Sequence, residues 1–333
     1  MHTSIRCLTV VIFLLLCVFA GGRADAAERH RVLVVMSYHQ EMPWESDIRQ
    51  GIETELGASA EIRYVYLNAK NDPAGAPQRA VEVWRVFQEF RPEGVIAADD
   101  DAQSLFVVPY LKDRVSVPVV FCGVNAEPIQ YGYPASNVTG IVERAHFRES
   151  IAFLQQLAPG ARSFAFLSND NPTGRGYADQ IRLESGSYPI QSHTVRLVKT
   201  IDEADTAVRD MKKNNDALFL IAMEGLTARD GRPLAEKESF RVLTRAFGKP
   251  VIGMNEFNIR FGLLCAVVKT GREQGQTAAR MLLKIVRGTP VSAVPIVRNQ
   301  QGKRVLNVTV MRAMGIRPRP VLLVGTELVQ TEE

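Results

Sequence analysis

The sequence is poor in cysteine, tryptophan and histidine. Its 333 residues include four cysteines, two tryptophans and five histidines. Two cysteines, Cys7 and Cys17, lie in an N-terminal apolar run, so only Cys122 and Cys265 remain for the rest of the chain. A small fold built on several disulfides is therefore excluded, and no cysteine or histidine pair has the spacing of metal ligands. The two remaining cysteines can form one disulfide or stay as buried thiols, and their spacing leaves both interpretations open.

The chain also lacks a strong excess of either charge. Forty basic residues oppose 36 acidic ones, which leaves a formal net charge of +4. Such a small and dispersed excess is not the footprint of a nucleic-acid-binding protein, so we expect no nucleic acid partner. The 24 glycines and 17 prolines show no low-complexity bias, and 46% of the residues are hydrophobic. The composition predicts a folded protein of about two domains.

Common catalytic motifs are missing. The sequence contains no Gly-x-Ser-x-Gly elbow, no Gly-x-x-x-x-Gly-Lys-Ser/Thr phosphate loop and no His-Glu-x-x-His pair. The segment Asn169-Asp170-Asn171 opens like a calcium loop, but the later glycine and glutamate of that loop are not in place. We therefore predict that the protein is not an enzyme and has no cofactor and no metal site.

Long apolar runs are limited to one, from Cys7 to Ala20, which follows Arg6 and precedes the small-residue segment Ala24-Asp25-Ala26. This order is typical of a secretory signal peptide, so we predict cleavage after residue 26 and a periplasmic mature chain. An uncleaved anchor is the alternative. No later segment predicts stable membrane insertion.

From Arg31 onward, short β-branched runs alternate with segments of helical period. The first helical segment repeats apolar residues four apart, at Trp44, Ile48, Ile52 and Leu56. Such alternation predicts an α/β fold of two doubly wound, parallel-sheet lobes. The predicted strands are residues 32–36, 62–67, 94–97 and 117–122 in the first lobe, and 163–167, 193–198, 217–222 and 250–254 in the second.

Unusually polar loops follow most of these strands. Ligands bind at the carboxyl ends of strands in open parallel sheets, so these loops are the candidate site. Each loop also has a simpler interpretation, because Asp, Asn, Ser and Thr are ordinary helix N-caps. The candidate ligand-binding residues are Ser37, Tyr38, Trp44, Asp99, Asp100, Asn125, Asn169, Thr173, Glu224 and Asn255.

Three motifs in order carry a family resemblance. Residues 118–128 read Pro-Val-Val-Phe-Cys-Gly-Val-Asn-Ala-Glu-Pro, residues 137–142 Asn-Val-Thr-Gly-Ile-Val, and residues 249–256 Lys-Pro-Val-Ile-Gly-Met-Asn-Glu. Together they resemble ABC transporter substrate-binding proteins of the type I periplasmic-binding-protein fold. The resemblance implies two lobes joined by a hinge, a small polar ligand and delivery to an ABC permease.

The implied division has three crossings between the lobes, near Val142, Glu256 and Pro295. It assigns residues 27–141 and 257–292 to the N-terminal lobe, residues 142–256 and 293–320 to the C-terminal lobe, and residues 321–333 to a tail.

A second resemblance concerns the segment from Ser37 to Trp44, which is similar to extracytoplasmic sensor domains of the same fold. That similarity implies a membrane-bound signalling kinase as the alternative partner. Ligands of the binding-protein family are often amino acids. The acidic candidates then favour an amine on an amino-acid-like ligand, and helix N-termini or Arg175 favour its carboxylate.

Overall fold

The computed structural model describes residues 29–232 and 234–332. The predicted signal peptide lies outside the described residues. Thirteen strands are present in the described part of the chain. They are β1 (His30–Met36), β2 (Ala60–Tyr66), β3 (Gly94–Ala98), β4 (Val119–Val124), β5 (Val138–Val142), β6 (Ser163–Asn169), β7 (Gln191–Val198), β8 (Ala217–Ile221), β9 (Val251–Ile252), β10 (Cys265–Val268), β11 (Val297–Arg298), β12 (Lys303–Asn307) and β13 (Thr326–Val329).

Helices alternate with these strands. They are α1 (Pro43–Leu56), α2 (Ala76–Phe90), α3 (Asp99–Ala102, continued as a π-helix over Gln103–Leu111), α4 (Phe147–Leu157), α5 (Pro172–Glu184), α6 (Ile201–Asn214), α7 (Glu236–Phe247), α8 (Glu256–Arg260), α9 (Gly271–Val286) and α10 (Val308–Ala313). Short 3-10 segments cover Gly57–Ser59, Pro128–Tyr131, Ser185–Ser187, Val291–Ala293 and Pro320–Leu322.

The first lobe is a six-stranded sheet in the order β11-β5-β4-β3-β1-β2. All its strand pairs are parallel. Helices α1 and α9 cover one face, where Ile48, Ile52 and Leu56 are buried as the sequence period predicts. Helix α2 and the π-helix cover the other face, where Trp84 stacks on Phe87. The doubly wound parallel sheet is confirmed.

The second lobe is a seven-stranded sheet in the order β13-β12-β10-β9-β8-β6-β7. Five of its strands are parallel, and β12 runs antiparallel to β10. The chain crosses from one sheet to the other within residues 143–146, 269–270 and 299–302, because the strands on either side of each segment belong to different sheets. Two α/β lobes joined by three crossings confirm the predicted fold class.

The lobe boundaries differ from the predicted ones. Strand β10 pairs with β9 and β12, so the second crossing follows Val268 and not Glu256. Strand β11 pairs with β5, which keeps residues 297–298 in the first lobe. The predicted tail contains β13, which pairs with β12 and completes the second sheet. A short apolar run shows that a strand forms, but it does not show which sheet the strand joins.

Two groups of hydrogen bonds hold the crossings in place at the hinge. The backbone N–H of Arg144 donates to Oδ1 of Asn299 over 2.7 Å, and Nδ2 of Asn299 donates to the Arg144 carbonyl over 2.9 Å. The buried Glu273 carboxylate accepts the backbone N–H groups of residues 300, 301 and 302 at 2.6, 2.8 and 3.1 Å. One carboxylate thus holds the third crossing against the start of α9.

The cysteine alternatives are settled by position. Cys122 lies in β4 of the first sheet and Cys265 in β10 of the second, and both are buried free thiols. Within the described ranges, no helix combines the length and the apolar character that a bilayer span needs.

Candidate functional site

Each sheet has one point at which its strand order reverses. In the first sheet β1 lies between β2 and β3, and in the second β6 lies between β7 and β8. The loops after the two strands diverge there and leave a crevice at the carboxyl edge. Every crossing starts at the carboxyl end of a strand. The first and third crossings start after β5 and β11 of the first sheet, and the second crossing starts after β10 of the second sheet. The two crevices therefore face each other across one cleft at the hinge.

The cleft is open. Among the residues that the structure describes, the hydrogen bonds and ion pairs between the lobes lie at the crossings and at Arg298, which contacts Glu149 and Glu184. None of these interactions joins the facing loops beyond the hinge.

The floor of the first crevice is formed by Asp99 and Trp44. The indole Nε1 of Trp44 donates to Oδ1 of Asp99 over 2.8 Å, and Asp99 itself is buried with its Oδ2 unpartnered. Asp99 has a left-handed backbone with φ of 66°. Gly123 lies beside it, and a β-carbon there would crowd the Asp99 carboxyl group. The half-buried indole of Trp44 therefore holds the buried Asp99 carboxyl group at the N–H edge of its ring.

A second buried carboxyl group lies next to this floor. Oε1 of Glu45 accepts the backbone N–H of Tyr38 over 2.7 Å, and its Oε2 has no partner. Burial raises the pKa of Glu45 to about 7, although the Tyr38 N–H lowers it. Burial and then the neighbouring Glu45 raise the pKa of Asp99 well above its usual range, against the Trp44 hydrogen bond. Burial is the main cause of both shifts, and for Asp99 the like charge of Glu45 adds to it.

Behind this floor, a buried ion pair links two of the crossings. Lys269, directly after β10, pairs with Glu143, directly after β5. Burial lowers the pKa of Lys269, but the Glu143 carboxylate outweighs it and the net direction is upward. Tyr177 on α5 lies close enough for both charges to act on it. The hinge side of the cleft is therefore charged but internally paired.

The second lobe contributes the loops after β6, β8 and β9. Thr173, in the first turn of α5, and Glu224, after β8, are both exposed, and Asn255 is half-buried at the start of α8. Arg175 is already paired with Asp170, since its Nη1 lies 2.6 Å from Oδ1. That arginine would have to leave its partner to bind a ligand carboxylate.

Some predicted site residues use their side chains for hydrogen bonds to the backbone of neighbouring loops. Oγ of Ser37 donates to the Ala98 carbonyl at 2.6 Å and accepts the Ala102 N–H at 2.8 Å. Asp100 accepts the backbone N–H groups of Asn125 and Ala126, which fixes the loop after β4 and leaves Asn125 exposed. Asn169 is buried and donates to the Glu224 carbonyl over 2.6 Å. These side chains shape the loops that carry the others.

Three charged residues escaped the sequence analysis: Glu45, Glu143 and Lys269. The last two directly follow buried strands, and that position was the available signal. Lys269 was missed because the apolar run before it was assigned to the first lobe. No pattern marks Glu45, since a glutamate in a first helical turn is normally a solvated residue.

The fold and the facing crevices define a two-lobed binding protein of the type I periplasmic class. The family of ABC transporter substrate binding proteins matches residues 40–329, so the chain belongs to that family. No curated protein matches the sequence.

Solved structures of the same fold include one protein in complex with a ligand and one in complex with another protein. One is the ligand-free, open structure of CD0873, a substrate binding protein with adhesive properties from Clostridium difficile. It is 16% identical with a TM-score of 0.69, and the alignment covers 91% of this chain and 100% of that one. Another is an ABC domain in complex with L-Trp from Streptococcus pneumoniae, at 15% identity, TM-score 0.51 and coverages of 91% and 100%. A third is from the XylFII-LytSN complex, at 12% identity, TM-score 0.53 and coverages of 81% and 95%.

Proposed function

We propose that this protein is a periplasmic solute-binding protein that closes its two lobes on a small amino-acid-like ligand and delivers it to an ABC permease. Residues 1–26 act as the export signal. The ligand carries an amine, and its side chain can be aromatic. The protein works by binding and closure, without catalysis.

The observation that carries this proposal is the composition of the first crevice. An indole borders a cluster of carboxyl groups: the N–H edge of Trp44 is bonded to Asp99, and Glu45 is close enough to act on Asp99. The three carboxyl groups of Asp99, Asp100 and Asp101 also act on Tyr38, whose pKa is raised first by burial and then by these charges. An indole face and a negative field both attract a cation, and the indole also stacks on aromatic groups.

The ligand lies between this floor and the loops of the second lobe. Tyr38, Trp44 and Asn125 contact it from the first lobe, with Asp99 acting from below. Thr173, Glu224 and Asn255 contact it after closure. Ser37, Asp100 and Asn169 hold the loops in place. A ligand that contacts both lobes stabilises the closed state by its preference for that state over the open one. Similarity to a fold that binds L-Trp in another protein supports an amino acid ligand.

Sensing is the second candidate function. The segment from Ser37 to Trp44 resembles extracytoplasmic sensor domains, and the fold is shared with the XylFII-LytSN complex. In this case the closed form docks on a membrane-bound signalling kinase. Both functions require the same ligand-driven closure.

A thermal-shift screen of residues 27–333 tests the proposal, with standard amino acids, small amines, sugars, nucleosides and purines as the panel. A ligand at about 100 times its dissociation constant adds roughly 2.7 kcal/mol to stability. We expect stabilisation by amino acids and loss of that stabilisation in Trp44→Ala. The matched control is Trp84→Ala, because Trp84 packs in the core of the first lobe away from the cleft. A folded protein that responds only to sugars or nucleosides contradicts the proposal.

A further inference from the structure

We propose that Glu45 and Asp99 form a two-carboxyl subsite that selects ligands carrying a protonated amine, and that the empty subsite holds one proton, which the bound amine displaces. This inference rests on the proposed function, because it concerns the same cleft. It adds a residue, Glu45, and a rule for ligand choice.

The first support is the burial of two carboxyl groups without enough partners. Glu45 and Asp99 are 1% and 2% exposed. Each uses one oxygen, for the Tyr38 N–H and the Trp44 indole respectively, and leaves Oε2 or Oδ2 without a hydrogen bond. Buried ionised carboxylates normally have all their acceptor sites satisfied. Two free oxygens in one dry place indicate that at least one is protonated when the cleft is empty.

The second support is the charge of the described residues around the pair. Lys269 is the ammonium group close to Asp99, and it is already paired with Glu143. The other groups that act on the pair are acidic or neutral at pH 7, so the neutralising charge must come from a proton or a ligand. The titratable groups that face Glu45 and Asp99 are Tyr38, Tyr66, Asp100, Cys122, Glu143 and Lys269.

The third support is the backbone at Asp99, which adopts a left-handed conformation that is uncommon for aspartate. The room for its carboxyl group depends on Gly123, which has no side chain and a φ of 69°. A residue that only caps a helix does not require the left-handed backbone of Asp99 or a glycine at position 123 beside it. It keeps a carboxyl group against the indole N–H at the switch point of the sheet.

Binding of the ammonium group exchanges one positive charge for another, because one proton leaves the carboxyl pair. Before binding, Glu45 and Asp99 together carry one proton and one negative charge. When the ammonium group of a ligand approaches the two carboxyl groups beside the indole, its charge makes the doubly ionised pair favourable. The shared proton leaves to solvent and the ammonium keeps its own protons. A neutral ligand of the same shape gains nothing from this exchange.

The proton can be observed without any ligand. Trp44 and Trp84 are the two tryptophans, so a Trp84→Phe variant leaves the Trp44 indole as one NMR signal in contact with Asp99. We expect this ¹⁵N–¹H signal to titrate with a midpoint well above the usual range of an aspartate, because the Asp99 carboxyl group is buried beside Glu45. In Glu45→Gln on the same background the midpoint should move lower by at least one pH unit, because the like charge is gone. A signal that does not titrate between pH 5 and 9, or an unchanged midpoint in Glu45→Gln, overturns the shared proton.

Ligand choice is tested with L-tryptophan and indole-3-propionate, which differ by the amine. Calorimetry at pH 7 in buffers of different ionisation enthalpy counts the protons released. We expect L-tryptophan to release between half and one proton and, because binding releases that proton, to bind up to about tenfold more weakly for each pH unit below the midpoint. Indole-3-propionate should bind at least tenfold more weakly and release none.

The outcomes separate this inference from the proposed function. Binding of L-tryptophan with no proton released, or equal binding of indole-3-propionate, overturns the selection rule and leaves a solute-binding protein. Failure of every amine-bearing compound in the thermal-shift panel contradicts the proposed function and the selection rule together. The indole titration decides about the shared proton in either case.

Discussion

The indole Nε1–H of Trp44 donates to Oδ1 of Asp99 over 2.8 Å, although the two residues are 55 positions apart in the chain. This bond joins the first turn of α1 to the end of β3, on the two sides of the switch point in the first sheet. It fixes the half-buried ring of Trp44 with its N–H edge against a buried carboxyl group. The electrostatic character of the floor follows from this arrangement.

Glu45 makes folding depend on pH in a defined direction. Its pKa is raised to about 7 in the folded protein, above the value near 4.5 of an unburied glutamate. The folded state then binds more protons between pH 4.5 and 7, so this group lowers stability as pH rises through that window, by up to about 1.4 kcal/mol per unit.

Glu45→Gln keeps an acceptor for the Tyr38 N–H and removes the charge. We expect denaturant unfolding to show Glu45→Gln more stable than wild type by about 1 to 3 kcal/mol at pH 8, and nearly equal at pH 4.5. An equal difference at both pH values contradicts the assignment.

The hinge should depend on Glu273. Replacing it with alanine leaves the N–H groups of residues 300–302 without their acceptor, at a cost of about 2 to 4 kcal/mol in the free energy of unfolding. Arg272→Ala, at the exposed neighbouring position of α9, is the matched control and should change stability by less than about 0.5 kcal/mol. Urea denaturation measures both. Similar small losses in the two variants would show that the third crossing does not need the carboxylate.

The ion pair between Lys269 and Glu143 is expected to be strongly coupled. Lys269→Met leaves the buried Glu143 charge unpaired next to Asp99, so we predict a loss of about 3 to 5 kcal/mol. The double variant Lys269→Met with Glu143→Leu removes both charges and should recover most of that loss. A double-mutant cycle on unfolding free energies gives the coupling. Additive losses in the cycle would be inconsistent with a direct pair.

Helices α1 and α9 pack closely at Gly275. A β-carbon there would overlap the carbonyl group of Ile48, so backbone must move to accommodate alanine. We expect Gly275→Ala to lower stability by about 2 kcal/mol or more. Gly176→Ala is the control, since this helical glycine of α5 has open space around it and should gain up to about 1 kcal/mol from alanine. Thermal unfolding of both variants checks the contrast.

The elements were predictable because their signals are local. The period of Ile48, Ile52 and Leu56 shows the buried face of α1 without any knowledge of its partner. The lobe of β10 was not predictable in this way, because the pairing of residues 265–268 with β9 and β12 depends on contacts far along the chain.

The candidate site was likewise predictable where its signals are local and not where they depend on distant contacts. The switch-point rule selects the correct loops, and it correctly draws attention to Trp44 and Asp99. It cannot show that Ser37 and Asn169 turn inward, since their partners at Ala98 and Glu224 are remote in sequence. Glu45 was missed for the same reason, because its burial comes from tertiary packing around the first crevice.

The central claim is that an amino-acid-like ligand closes the two lobes. Small-angle X-ray scattering of residues 27–333 tests it most directly, measured alone and with an equimolar mixture of the standard amino acids at millimolar concentration. We predict a smaller radius of gyration with the mixture and no change in Trp44→Ala. An unchanged radius for the folded wild-type protein in the presence of the mixture would contradict the claim.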